Sequence, residues 1–256
     1  MSGQERKDIH NSEVPLVCQA CEVRHQGVCG ALDPDELLRL SKHTTRKVVK
    51  SGQELHRGGE DADRCSNIMG GVAKLSKLMS DGRQQIVGLQ FAPDMVGRTF
   101  SSASADASAA DNELSVEAAT DVRLCSFPRS VIEQIMVDVP ELEHRLHLQK
   151  LKELDEARDW MLTLGRKSAM EKVASFLYLL ATHIDPEKPL GDGPVVIELP
   201  MKRSDIADFL GLTIETISRQ LTNLRKRGLI EIEQRRIVTI ADIERLKAAA
   251  EQDLSK

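Results

Sequence analysis

The chain has 256 residues, of which 41% are hydrophobic and 29% are charged, and its formal net charge at pH 7 is −5. This composition is typical of a globular protein with room for two domains, and the sequence has no run of 18 or more apolar residues that would predict a transmembrane helix. The net charge argues against a general nucleic-acid binder. The polar N-terminus lacks the apolar stretch of a secretory signal, so we expect a cytoplasmic protein.

Three of the five cysteines lie in an aperiodic, loop-like stretch at residues 15–30. Cys18, Cys21 and Cys29 have the spacing Cys-x2-Cys-x7-Cys, and a two-residue gap allows two thiolates to reach one metal centre from a single turn. An odd number of cysteines in a chain of cytoplasmic character argues against a disulfide framework. Metal ligation and ordinary thiols are the remaining interpretations. His25, inside this stretch, is expected to be exposed.

Short β-type runs punctuated by glycine follow between residues 46 and 127, after a short helix that a capping box at Asp33 and Glu36 predicts. The strand candidates are Val48-Val49, Ile68 to Leu75, Gln85 to Phe91 and Ser115 to Phe127. Asp81-Gly82 is a hairpin signal, and residues 100–111, almost all Ser, Ala and Asp, are expected to form a surface loop. Several short strands with glycine turns indicate a small β-barrel or jelly-roll-like domain.

A fourth thiolate has to come from this β-rich region, because iron–sulfur clusters take four. Cys125, near the end of a predicted strand, is the better candidate. Cys65 follows a polar run and is expected to be an unligated thiol on a loop. A four-thiolate zinc site is the main rival, although its usual signature is two close cysteine pairs. At this point a cluster, zinc and unligated thiols all remain open.

A long helix is predicted from Pro140 to about Gly165, after a short helix that begins at Pro128. From residue 151 onward its apolar positions recur every three or four residues, the spacing of a seam between two helices. One small domain cannot cover a helix this long, so we expect a homodimer. The seam residues are Leu151, Leu154, Ala157 and Met161.

Residues 202–228 have the pattern of a helix-turn-helix. The first helix is expected around Ser204 to Leu210, and Gly211 supplies the positive φ of a tight turn. Thr213 is placed to cap a second helix that reaches to about Arg227. That second helix is the candidate recognition helix for double-stranded DNA.

The exposed N-terminal residues of the second helix have the chemistry of base readers. Arg219 can donate two hydrogen bonds to a guanine, Glu215 can accept one from a cytosine, and Ser218 is short enough for close approach. Thr216 completes the outward set.

A basic hairpin wing is predicted after the recognition helix, where apolar runs at residues 230–232 and 237–240 flank Gln234-Arg235-Arg236. Between Lys202 and Arg236 the chain has eight basic and five acidic residues, so this end is positive although the whole protein is negative. Such a patch suits backbone phosphates. The expected phosphate contacts include Arg203, Arg225 and Arg236.

The combination of β-domain, long helix and winged helix-turn-helix resembles the Crp/Fnr superfamily of bacterial regulators, from about Cys18 to Ile240. The most specific match is the segment Gly211 to Arg219, which is similar to the recognition segment of the Fnr branch. The resemblance implies an α+β fold with an N-terminal β-roll or jelly-roll sensor domain, a long dimerisation helix and a C-terminal winged helix-turn-helix. The implied domains are residues 1–32 (cluster-binding segment), 33–138 (β-roll), 139–165 (dimerisation helix) and 166–256 (DNA-binding domain).

The resemblance also implies a function, oxygen-responsive control of genes for low-oxygen metabolism. It implies a 4Fe–4S cluster with three N-terminal ligands and one from the β-domain, here Cys18, Cys21, Cys29 and Cys125. The gap between Cys21 and Cys29 is longer than in enterobacterial members and is similar to the α-proteobacterial pattern. Glu215, Ser218 and Arg219 would read a TTGAT-like half-site in an inverted repeat. RNA polymerase is the expected partner, contacted near the hairpin tip at residues 80–83.

We hypothesise that cluster loss removes a clamp on the long helix and frees like charges along it, namely those of Glu153, Asp155, Glu156 and Asp159. The rival interpretations are a cyclic-nucleotide regulator, a zinc- or thiol-based redox regulator, and an iron–sulfur electron carrier or enzyme. Residues 97–111 contain no glutamate and no arginine besides Arg98, which disfavours a nucleotide phosphate site. An electron carrier would leave the helix-turn-helix without a purpose. We expect no enzyme, because no nucleophile–base set or phosphate-gripping glycine loop is present.

Overall fold

The computed structural model describes residues 14–19, 21, 23–55, 63–97, 114–183 and 193–251. Its helices are α1 (Leu16–Gln19), a 3-10 helix η1 (Val28–Ala31), α2 (Pro34–Ser41), α3 (Arg129–Asp138), α4 (Pro140–Arg166), α5 (Ala169–His183), α6 (Arg203–Leu210), α7 (Ile214–Lys226) and α8 (Ile243–Glu251). Its strands are β1 (Thr45–Val49), β2 (Arg64–Gly70), β3 (Ala73–Leu78), β4 (Gln84–Gln90), β5 (Met95–Gly97), β6 (Ser115–Ala118), β7 (Val122–Pro128), β8 (Val195–Glu198), β9 (Ile230–Glu233) and β10 (Ile237–Ile240).

The N-terminal half is the expected β-roll, built from two antiparallel sheets. One sheet has the order β1-β7-β2-β5 and the other β4-β3-β6. Side chains between the sheets, such as Ile68 and Leu124, are fully buried. The β3–β4 hairpin forms where Asp81-Gly82 predicted it, with Gly82 at a φ of 87°. The predicted surface loop at residues 100–111 lies outside the described residues.

Two predicted strands, Ile68 to Leu75 and Ser115 to Phe127, were each wrong as single strands. The first is divided between β2 and β3 and the second between β6 and β7, so that in both cases the chain passes from one sheet to the other. Gly71 makes the first corner at a φ of 92°, where an added Cβ would collide with the carbonyl oxygen of Asp121. Gly70-Gly71 and Thr120-Asp121 mark the two corners in the sequence, but apolar residues continue on both sides of each, so the hydrophobic pattern predicts one continuous strand in each case.

The helices that follow the roll begin where the prolines predicted. Pro128 is the N-cap of α3, and α4 runs for 27 residues from Pro140. The first turns of α4 bury Leu142 and Leu146 against the N-terminal segment and α3. In the described ranges no helix is both long and apolar enough to cross a membrane.

The C-terminal half is a winged helix-turn-helix, and its apolar core also includes Val72, Ile86 and Phe91 of the roll. Helices α5, α6, α7 and α8 bury Phe176, Phe209 and Leu224 beside a three-stranded sheet of order β8-β10-β9. Trp160, near the end of α4, packs on Phe209 with the two ring centroids 4.5 Å apart. This contact attaches the long helix to the C-terminal core. Gly211 adopts the predicted left-handed conformation between α6 and α7.

Candidate metal centre and nucleic-acid interface

Four of the five cysteines meet in one pocket. Cys18 lies on α1, Cys21 in the following turn, Cys29 on η1 and Cys125 on β7, and all four line the same small cavity together with Asn67. The N–H of Cys21 donates to the carbonyl of Cys18 at 3.2 Å, so the Cys-x2-Cys pair is held by a tight local turn. The structure therefore brings the predicted strand cysteine, Cys125, together with the three N-terminal ones.

Three thiols of this pocket, those of Cys18, Cys29 and Cys125, are hard to ionise without a metal because burial raises the pKa of each. The nearby Cys125, Cys21 and Cys18 thiols raise the pKa of Cys29 further, and a hydrogen bond from Asn67 acts in the opposite direction. Burial, followed by the Cys21 and Cys18 thiols, raises the pKa of Cys125 to about 12. Metal ligation needs thiolates, so loading of this site has to expel protons into solvent.

The geometry of the pocket restricts what it can hold as it stands. No group of three or more His, Cys, Asp or Glu side chains in the described part of the chain is placed around a single metal ion. The space enclosed between the pocket walls is about 20 Å³, the volume of about one water molecule. The donors are four soft thiolates, which suit an iron–sulfur group.

Cys65 lies apart from this pocket, and its predicted loop placement was wrong. It is fully buried on β2, in the apolar cluster that also contains Phe127, Ile132 and Leu142. The polar residues before it suggested a loop, but the strand begins at Arg64 and directs the thiol inward. His25 is exposed as expected, with its Nε2 2.9 Å from Nη2 of Arg24.

The cysteine segment packs directly on the long helix. Val28 of η1 shares an apolar cluster with Leu142 and Leu146 of α4, and all three are buried. Nη1 of Arg145 approaches the carbonyl oxygens of His25 and Gly27 at 3.5 Å. The proximity of cluster loop and helix that the clamp hypothesis requires is therefore present.

The recognition helix α7 presents the predicted side chains. Thr213 caps it, since its Oγ1 accepts from the N–H of Thr216 at 3.2 Å, and Ile217 faces the core. Glu215, Ser218 and Arg219 are exposed, and Thr216 is half-buried. Hydrogen bonds from the helix backbone and from Thr213 keep the pKa of Glu215 below its usual value, so this side chain is an ionised acceptor.

The predicted phosphate contacts differ in their availability. Arg203 is half-buried, donates from Nη2 to the carbonyl of Arg235 at 3.2 Å, and its buried Nη1 has no hydrogen-bond partner among the described residues. Arg236 is drawn towards β8, where its Nε lies 3.4 Å from the Glu198 carboxylate. Arg225 is exposed. Arg225 is thus the best placed of the three to bind phosphate in this conformation.

One side of the recognition helix faces the β-roll in this conformation. Ser218 and Arg225 line a cleft of about 990 Å³ whose far wall includes Lys74 and Glu117. Lys74 bridges the two halves, with its Nζ 3.0 Å from Glu117 and 3.1 Å from Asp205 on α6.

The predicted seam residues form an uncovered apolar face on the second half of α4. Leu151 and Leu154 are 45% and 46% exposed and Met161 is 72% exposed, while Ala157 is also exposed. Apolar side chains this exposed along one helix face mark an association surface.

The like charges of the same helix are mostly paired. Glu153 contacts Lys150 at 2.8 Å, Asp155 contacts Arg158 at 2.8 Å, and Glu156 contacts Lys152 at 3.5 Å. The hypothesis that cluster loss frees four repelling carboxylates therefore needs correction for three of them. On a helix, residues three or four positions apart are neighbours, so each of these carboxylates is neutralised by a basic side chain of the same helix.

Comparison with known proteins gives two matching family models. A model described as "Crp-like helix-turn-helix domain" matches residues 171–249, and one described as "Cyclic nucleotide-binding domain" matches residues 46–138. These ranges coincide with the winged helix-turn-helix and with the β-roll followed by α3.

Several relatives match nearly the whole chain. A "Probable transcriptional activator" of Rhizobium leguminosarum bv. viciae is 48% identical, and the alignment covers 94% of this chain and 96% of that protein. The transcriptional activator protein FnrL of Cereibacter sphaeroides is 38% identical over the same two shares. Among solved structures, FixK2 from Bradyrhizobium japonicum superimposes with a TM-score of 0.67 at 30% identity, covering 82% of this chain and 98% of that one.

Proposed function

This chain belongs to the Crp/Fnr family of transcription regulators, and we propose that within that family it is an oxygen-responsive activator that binds DNA as a homodimer while a 4Fe–4S cluster is intact. The genes it controls would serve low-oxygen metabolism. The observation that carries the proposal is the meeting of Cys18, Cys21, Cys29 and Cys125 in one pocket, on a segment that packs against the long helix.

A cluster accounts for the pocket better than zinc does. A four-cysteine structural zinc site usually has two close cysteine pairs, whereas this chain has one, Cys18 and Cys21. Four thiolates are also the usual ligand set of a 4Fe–4S cluster. When bound, such a cluster supplies a centre that oxygen converts or destroys.

Solvent access to that centre is set by the chain itself. Cys29 is the most enclosed of the four, whereas Cys18 lies near the surface on the four-residue helix α1. Oxygen would therefore approach from the side of Cys18.

The link from cluster to DNA runs through α4. An intact cluster ties the N-terminal segment to the β-roll, and that segment buries Leu142 and Leu146 at the start of the helix. The seam of Leu151, Leu154 and Met161 follows on the same rigid helix. We therefore ascribe the switch to packing at the head of α4, with charge release as at most a minor contribution.

Specific DNA reading is assigned to Glu215, Ser218 and Arg219, and the expected site is an inverted repeat of a TTGAT-like sequence. Two recognition helices related by a dimer axis match such a repeat. The exposed hairpin tip at residues 80–83, beside the exposed Leu78 and Met79, is the surface proposed for RNA polymerase.

A cyclic nucleotide is the second candidate effector, because the family model of that domain matches the β-roll. Its phosphate would be held in the region of residues 97–111, where the sequence has no glutamate and only one arginine, Arg98. Residues 98–111 lie outside the described residues, so this candidate is weighed on the sequence alone.

The proposal is tested by purifying the protein without oxygen and measuring iron, sulfide and zinc together with DNA affinity for the inverted repeat. We expect four irons and four sulfides per chain, tight DNA binding, and loss of both on exposure to air. Added cyclic AMP should leave the affinity unchanged. A colourless protein with stoichiometric zinc, or equal DNA binding before and after air, would contradict it.

A further inference from the structure

The register of the first sheet places two polar side chains on either side of Cys125. Arg46 on β1 pairs directly with Cys125, which on its other side pairs with Asn67 on β2. Residues directly opposite one another on neighbouring strands share a face, with Cβ atoms about 4.5–5.5 Å apart. Arg46, Cys125 and Asn67 therefore form a row that borders the cysteine pocket.

Asn67 is the member of this row that touches a second cysteine. Its Nδ2 lies 3.4 Å from Sγ of Cys29, so the amide links β2, the strand beside that of Cys125, to the segment that carries Cys29. The residue is only 6% exposed, and it lines the pocket with all four cysteines. Its position is thus at the wall between the roll and the N-terminal segment.

The burial of Asn67 is costly unless it serves the pocket. Its Oδ1 is buried and has no hydrogen-bond partner among the described residues. A buried amide that leaves one end unsatisfied destabilises a fold, and an apolar residue of the same shape would avoid that cost. The side-chain amide of Asn67 instead directs its hydrogen bond to the sulfur of Cys29.

We propose that Asn67 is a positioning residue of the cluster site, where its amide N–H donates to the Cys29 thiolate and makes the cluster harder to oxidise. This inference rests on the proposed function, since it assigns a role towards the cluster. A hydrogen bond to a ligating sulfur withdraws electron density from the iron–sulfur group and raises its reduction potential. The low dielectric of the buried site strengthens that effect.

Arg46 acts from the other side of the row at longer range. Its positive charge favours the ionised forms of Cys18 and Cys125. It is exposed, so water and salt screen its effect, whereas the contact of Asn67 is shielded. The amide is therefore the residue of the row on which the stability of the cluster towards oxygen depends most.

Ser66 provides a matched control on the same strand. It is fully buried and points to the opposite face of the sheet, where its Oγ lies 2.6 Å from Oγ of Ser126. Ser66→Ala removes a buried hydrogen bond from β2 without touching a sulfur. It therefore reproduces any general loosening of the strand.

The test compares wild type, Asn67→Leu, Asn67→Asp and Ser66→Ala, each full-length and purified without oxygen. The measurements are cluster content, midpoint potential, the Fe–S stretching frequencies by resonance Raman, and the rate of absorbance decay in air. Asn67→Leu should keep the cluster, shift the potential to more negative values and decay roughly three- to tenfold faster, as expected for the loss of one hydrogen bond. Asn67→Asp, of the same size, should shift both quantities further in the same direction, and Ser66→Ala should match wild type.

The outcomes separate the two proposals. A wild-type protein with its cluster, together with Asn67 variants whose potential, Raman frequencies and decay rate are unchanged, overturns the role of Asn67 and leaves the proposed function standing. Equal shifts in Ser66→Ala and Asn67→Leu overturn it as well, because strand loosening would then explain both. A wild-type protein that holds no cluster overturns the proposed function and this inference together.

Discussion

The two halves of α4 have the same helical structure and opposite environments. At its head Leu142 and Leu146 are buried beneath the cysteine segment, whereas further along Leu151, Leu154 and Met161 lie uncovered. The first half is covered by the chain's own N-terminal segment, and the second half is the surface at which we propose that the dimer forms. Because the two lie on one continuous helix, a local change at the cysteines can reach the proposed dimer surface directly.

Removing a cysteine from the pocket beside the first half of α4 should have the largest effect. Cys125→Ala should abolish cluster binding, because no other thiol lines the pocket from the roll side. The matched variant Cys65→Ala changes a thiol buried in the neighbouring core and should keep the cluster. Iron and sulfide content after anaerobic purification decides the point, and equal loss in both variants would break the assignment.

A charge in the uncovered half should dissociate the dimer and leave the cluster alone. Each seam leucine occurs twice across a symmetric interface, so Leu154→Glu should weaken dimerisation by at least about 100-fold, on the order of 3 kcal/mol or more. Lys152→Glu, which alters an exposed pair with Glu156 on another side of the helix, is the control. Sedimentation of cluster-loaded protein measures the change, and a monomerisation equally strong in Lys152→Glu would rule out the seam.

Substitutions on the recognition helix α7 should alter DNA binding and leave both cluster binding and dimerisation unchanged. Arg219→Ala should cost about 1–3 kcal/mol and relax sequence preference at one base pair, whereas Arg225→Ala should weaken all sequences alike and reduce the salt dependence. Titration of the inverted repeat and a scrambled duplex at two salt concentrations distinguishes them. If both variants lose affinity equally for both duplexes, Arg219 is a phosphate contact and the assignment of readers fails.

The smallest effect is expected at Asp94, which lies on the roll beside the middle of α4. Burial, followed by the charges of Glu153 and Glu156, raises the pKa of Asp94 to about 6, while a hydrogen bond from the N–H of Phe91 opposes the rise. The folded state thus holds this proton more tightly than the unfolded state, and its contribution to stability is lost as pH rises through about 6.

Between about pH 5 and pH 7.5 the wild type should therefore lose about 1 kcal/mol of unfolding free energy more than Asp94→Asn, in which the amide oxygen can still accept from Phe91. Urea unfolding at the two pH values measures the difference. Identical pH dependence in the two proteins would show that Asp94 is ionised and solvated.

The DNA-reading end could be predicted from the sequence because its determinants are local. Thr213 caps the helix that it precedes, Gly211 makes the turn that it occupies, and Ile217 lies one turn beyond the cap. Each of these relations spans only a few residues, so periodicity and turn chemistry suffice to predict them.

The cysteine end depends on relations that no local pattern contains. Cys125 meets Cys29 across almost a hundred residues, and Asn67 reaches the pocket only because β2 pairs in register with β7. In the sequence, Asn67 is merely a polar residue just before a predicted strand. The same reason explains the error at Cys65, whose polar N-terminal neighbours belong to a different environment from the core that its own side chain enters.

The central claim is that the state of the cysteine pocket controls dimerisation through α4. The most direct measurement is analytical ultracentrifugation of the wild-type protein, loaded without oxygen and then exposed to air, with Leu154→Glu run in parallel. We predict a dimer that becomes monomer on exposure to air in step with cluster loss, and a monomer in both states for Leu154→Glu. A wild type that sediments identically before and after complete cluster loss would contradict the link between the two halves of the helix.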